Sequence, residues 1–128
     1  MNLGIVCTAL LGILLFGLGL YVSILRQRLG QGIGHGSSPV DPLHRAVRAH
    51  ANTAEYTPYL AVLFLWYAVH QPPVWITATI VVVTASRFLL VAGLLWGTSL
   101  NKPNPARFLG ALLTYICGLV LAAGLLAV

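Results

Sequence analysis

Acidic side chains are almost missing from this chain. Asp41 and Glu55 are the only two among 128 residues, and charged residues of both signs make up 7%. A soluble domain runs nearer a quarter charged. With 59% apolar residues and a mean hydropathy of +0.90, this scarcity excludes a soluble globular fold, a disordered tail and a nucleic-acid-binding module. Cysteine is equally sparse. Cys7 and Cys117 lie inside apolar runs, without metal-ligand spacing and outside any loop suited to a disulfide, so packing is their expected role. No phosphate-binding glycine motif, nucleophile elbow or metal-ligand set is present, and no metal is expected. What remains is one small domain embedded in a membrane. The net charge of +5 then reports topology rather than an anionic partner.

A helix needs about 20 apolar residues to cross the hydrocarbon. Residues 1–25 carry no charge, residues 56–69 are apolar behind a more polar stretch from Pro42, residues 74–98 are interrupted only by Arg87, and residues 108–128 carry none. The pattern predicts an all-α, four-helix integral membrane bundle forming a single domain over 1–128, with helices near 2–28, 42–70, 73–98 and 105–127. The first run has no basic n-region and is longer than a signal-peptide core, so it reads as a retained helix. Residues 29–42 form a glycine-rich loop, His70 to Pro73 a tight turn, and Asp41-Pro42 and Asn104-Pro105 each pair an N-cap with proline at the first helical position.

Arg26, Arg28, Arg45 and Arg48 flank the first loop, and Lys102 and Arg107 the third. The positive-inside rule places these two loops in the cytoplasm and both termini outside, and a bacterial inner membrane is the expected location. Trp66, Tyr67, His70 and Trp75 read as an aromatic belt at the outer interface, and Trp96 as its counterpart at the inner one. On the fourth helix Ala106, Gly110, Thr114, Gly118 and Ala122 recur every four residues. Such a stripe lets helices approach closely, within the bundle or between subunits.

Chemistry concentrates on the second helix. Arg45, Arg48, Asn52, Glu55 and Tyr59 follow spacings of three and four and share one helical face. Ionisable groups in a membrane segment face protein or a watery cavity. Glu55 lies 13 residues beyond Pro42 and Arg87 lies 11 before Thr98, so the two are expected to meet at similar depth, as a structural ion pair, a ligand-orienting pair or both. Pro58 removes one backbone hydrogen bond just beyond the stripe and suggests a kink. Arginine forks bind carboxylates, a buried glutamate suits an ammonium, and asparagine serves either role. A small zwitterion richer in carboxylates than in amines fits that set, and glutathione is one such molecule.

The segment Arg48-Ala-His50-Ala-Asn52-Thr-Ala-Glu55-Tyr56-Thr-Pro58 resembles the second-helix signature of the MAPEG family, the membrane-associated proteins of eicosanoid and glutathione metabolism. The resemblance extends over the whole chain in length, spans and the polar first loop. It implies a homotrimer with glutathione as cosubstrate bound between neighbours near the cytoplasmic side. It also implies glutathione contacts for Arg48, His50, Asn52, Glu55 and Tyr56, with Arg26 closing the first helix and Arg87 on the third. Arg107, opening the fourth helix, would stabilise the glutathione thiolate. That role is physically sound, because a guanidinium beside a helix N-terminus adds two positive potentials; the bland alternative is a positive-inside anchor. One departure bears on catalysis: Leu90 and Leu94 stand where many family enzymes carry His or Tyr, and Tyr115 is a candidate substitute.

The expected activity is that of a glutathione transferase or peroxidase acting on an apolar small molecule or lipid hydroperoxide that arrives through the membrane lipid. The alternative is a non-catalytic family member that binds a lipid or partner protein in the same groove. A small multidrug exporter fits less well, because such transporters place their membrane glutamate on the first helix, which here is uncharged.

Overall fold

The computed structural model describes residues 1–127. Four α-helices follow one another: α1 Leu3–Leu29, α2 Pro42–Val69, α3 Val74–Trp96 and α4 Pro105–Gly124, the last closed by a 3-10 turn over Leu125–Ala127. Two ends differ from expectation. α3 stops at Trp96 rather than Thr98, and α4 gives way to the 3-10 turn three residues before 127. α2 runs unbroken through Pro58 as one helix of 28 residues.

Local chemistry explains the boundaries. Asn2 accepts from the Gly4 amide at the start of α1, Asp41 from Leu43 at α2, and Asn104 from Arg107 at α4, each satisfying a free N-terminal donor. Gly30 ends α1 with a φ of 65°, the left-handed cap conformation that glycine adopts without steric cost. α1, α3 and α4 are long and apolar enough to cross a membrane by length and composition. α2 carries the polar stripe and runs beside them, which makes the chain a membrane protein of three apolar helices and one mixed one.

The helices pack as two hairpin pairs, α1 with α2 and α3 with α4, while α2 and α4 barely touch. Within each pair the backbones come close. A Cβ on Gly4 would stand 3.0 Å from the Phe64 carbonyl oxygen, and one on Gly110 would stand 2.7 Å from the Leu90 nitrogen. In lipid, where apolar burial gives little drive between helices, such close approach is what holds them together. The small-residue stripe of α4 is therefore divided: Gly110 is pressed on α3, whereas a Cβ on Gly118 would meet nothing within 4 Å. Tyr67 also departs from expectation. It is 2% exposed and its hydroxyl donates to the Leu121 carbonyl at 2.7 Å, so it joins α2 to α4 in the core instead of the interfacial belt. Trp66 and Trp75 do stay on the surface.

At the opposite end the two long connections meet, with the Leu100 amide donating to the Pro39 carbonyl at 2.9 Å. This contact gathers Arg26, Arg28, Arg45, Arg48, Lys102 and Arg107 at one end of the bundle. We call it the loop end.

Candidate functional site

Both α2 and α4 begin at the loop end, so their positive dipole ends lie there together. The side chains that follow each start are the ones of chemical interest. Arg48, Asn52 and Arg107 line one groove of about 440 Å³ with His44, Leu90 and Leu94. Arg107 is held in place twice. Its backbone amide donates to Asn104 Oδ1 at 3.1 Å, and its Nη1 donates to the Leu100 carbonyl at 2.9 Å. Gly93 makes this possible, because a Cβ there would stand 2.7 Å from the Arg107 nitrogen. Arg107 in the first turn of α4, with Arg48 and Asn52 six and ten residues into α2, makes a donor-rich surface suited to an anion.

Glu55 and Tyr56 face a second groove of about 490 Å³ between α2 and α4, walled by Tyr59, Leu60, Tyr115 and Gly118. Tyr56 and Tyr115 meet with ring centroids 5.8 Å apart. This groove is almost wholly apolar apart from one carboxylate, the phenol hydroxyls and Thr114, whose own hydroxyl donates to the Gly110 carbonyl.

Arg87 lies between the two grooves and lines neither. It is 1% exposed, the largest fully buried side chain in the described residues. Its Nη2 donates to Asn52 Oδ1 at 2.6 Å and its guanidinium carbon stands 5.2 Å from the Tyr56 ring centroid. Its Nε and Nη1 have no partner among the described residues. The expected meeting of Arg87 with Glu55 is thus replaced by one with Asn52, and no side-chain ion pair links Glu55 to it. Depth accords with the exchange: Arg87 lies nine residues from the end of α3, against ten for Asn52 and 13 for Glu55 from the start of α2.

Family comparison adds to this geometry. The sequence model of the MAPEG family matches residues 4–127. The chain belongs to the MAPEG family. Comparison with curated proteins and with solved structures gave no match. The MAPEG family includes glutathione transferases and related proteins.

Three basic or polar residues of this MAPEG chain lie apart from the grooves. Arg26 donates to the Gly34 carbonyl at 2.5 Å within the first loop. His50 faces α1, where its Nε2 would stand 3.3 Å from a Cβ on Gly19. Arg45 leaves the stripe it shares by spacing: it donates to the carbonyls of Leu95 and Gly97 and closes the C-terminus of α3, a favourable place for a cation. Sequence reasoning did not foresee His44 in the groove wall. It also missed the Leu100 carbonyl that ties down Arg107, since a backbone acceptor leaves no side-chain signal. Among the described residues no cluster of His, Cys, Asp or Glu could hold a metal ion.

Proposed function

We propose that this protein binds glutathione and activates its thiol for addition to an apolar electrophile or reduction of a lipid hydroperoxide. The observation that carries this reading is the convergence of Arg48, Asn52 and Arg107 in one groove at the loop end. Arg48 binds a carboxylate, Asn52 donates to a ligand oxygen, and Glu55, one turn further along α2, takes the ammonium with Tyr56 beside it. Arg107 stands by the sulfur and favours the thiolate, which is the nucleophilic form. Reach supports the assignment: Arg48 and Glu55 are two helical turns apart, about 10.5 Å, and a tripeptide extends about 10 Å. The apolar groove at Tyr59, Leu60 and Tyr115 offers a place for the second substrate, open to lipid.

The same reading places the loop end in the cytoplasm of a bacterial inner membrane and both termini outside, because six of the seven basic residues sit at that end. It also takes the protein to be a homotrimer. The open α2–α4 side leaves room for a neighbouring copy, whose Arg26 and His50 would then reach the ligand. A non-catalytic binding protein is favoured by one observation alone: Leu90 and Leu94 wall the groove where family enzymes place polar side chains.

The test is isothermal titration of glutathione into the detergent-purified protein and its Arg48→Ala and Glu55→Ala variants. Saturable binding weakened by both substitutions supports the reading. Absence of binding at millimolar glutathione, in protein that is still folded, overturns it.

A further inference from the structure

We propose that Arg87 is a positioning residue, which holds the Asn52 amide by its oxygen and presents the Asn52 amino group to the loop-end groove as a fixed donor. The inference rests on the glutathione reading above and names what the groove demands at that turn: an acceptor oxygen, from a carboxylate or a peptide carbonyl.

The chemistry of the contact fixes the orientation of the amide. A guanidinium has five N–H donors and no acceptor. Its partner at 2.6 Å must therefore be the amide oxygen, since the flipped amide would set two donors against each other. The Asn52 Nδ2 is left free of any hydrogen bond among the described residues, on a side chain that lines the groove. A positive charge on Oδ1 also polarises the amide and makes Nδ2 a stronger donor.

Cost argues that the arrangement serves more than packing. Arg87 is 1% exposed in a membrane helix, with Nε and Nη1 unpartnered among the described residues. Its only compensations there are one amide oxygen and the face of Tyr56. Buried charges are expensive, and apolar residues of similar volume often stabilise better. A donor held rigidly between two grooves is what the cation supplies and an apolar residue does not. The next turn of α2 bears Glu55, an acceptor. A ligand must then offer acceptor and donor in that order along the helix.

The experiment is a double-substitution cycle on the full chain in detergent, reading glutathione affinity by calorimetry and stability by thermal midpoint. Arg87→Met is expected to weaken glutathione roughly 10- to 100-fold in the wild-type background, and less than about threefold when Asn52 is already alanine. Arg87→Lys keeps a donor and is expected to restore part of the affinity. Asn52→Asp pairs with Arg87 as an ion pair, so it is expected to raise the thermal midpoint while weakening glutathione at least about tenfold. Equal weakening by Arg87→Met in both backgrounds, or full affinity in Asn52→Asp, overturns the positioning role. The stability arm separates this inference from the reading beneath it. If wild-type protein binds no glutathione, the proposed function fails. The Arg87–Asn52 pair is then decided alone: it is refuted if Asn52→Asp raises the midpoint as much in the Arg87→Met background as in the wild-type one.

Discussion

The two grooves on the α2–α4 side lie one helical turn apart and have opposite characters. The loop-end groove collects Arg48, Asn52 and Arg107, while the groove beyond it is apolar except for Glu55, Thr114 and phenol hydroxyls. Position explains the difference. The first lies towards the end where the long connections meet and the arginines gather, with Arg107 in the first turn of α4. The second lies deeper along the bundle between α2 and α4, where apolar side chains make up most of its wall. Arg87 is the wall between them, and it touches both through Asn52 and Tyr56. The contrast teaches that a membrane bundle can form a polar groove and an apolar one side by side when two of its helices barely touch.

The largest expected effect comes from removing the cation at the polar groove. Arg107→Ala should lower the turnover of glutathione with a soluble aryl halide about 100- to 1,000-fold, which a conjugation assay reads directly. Glutathione affinity should change far less, because the thiolate is one contact among several. Loss of affinity with turnover at saturating glutathione unchanged would make Arg107 a binding residue only.

Next comes the packing that keeps both grooves in shape. Gly110→Val should cost about 1–3 kcal/mol or more, measured as a fall in thermal midpoint, because its side chain meets the backbone of Leu90 and Ser86. Gly118→Val, in the same stripe, should leave the midpoint of the isolated subunit nearly unchanged, since its Cβ meets open space. If native mass spectrometry finds an oligomer that Gly118→Val breaks, the open groove is where a second copy sits.

Glu55→Gln tests whether the two grooves serve one ligand. The expected loss is about tenfold in glutathione affinity, from an ammonium left without its carboxylate. Full affinity in that variant would confine glutathione to the loop-end groove. Leu119→Trp, which fills the apolar groove, should raise KM for an apolar electrophile with little change for glutathione. The smallest effect is structural: Tyr67→Phe removes the bond to the Leu121 carbonyl and should cost about 1 kcal/mol in thermal unfolding.

Much of this was legible before any coordinates. Hydropathy and caps mark the four helices, because spans must be apolar and their N-termini need donors satisfied. The spacing of Arg48, Asn52, Glu55 and Tyr59 marks the polar face of α2, because a polar stripe in lipid has to face protein or water, whereas Tyr56 enters the candidate site through the family resemblance. Tyr67 misled, since an aromatic near a helix end looks the same in sequence whether it faces headgroups or reaches across to a carbonyl on α4. Arg45 misled as well. Its spacing matches the stripe, but the free carbonyls at the end of α3 lie within reach and claim it.

By itself, then, the sequence determined the membrane class, the number of helices, the basic loop end and the polar face of α2, all consequences of how single residues partition between water, lipid and helix. Only the tertiary structure decided that α2 and α4 stand apart, that Gly110 is packed while Gly118 is open, and that Arg87 meets Asn52 rather than Glu55. Those outcomes depend on which helix lies against which and at what height.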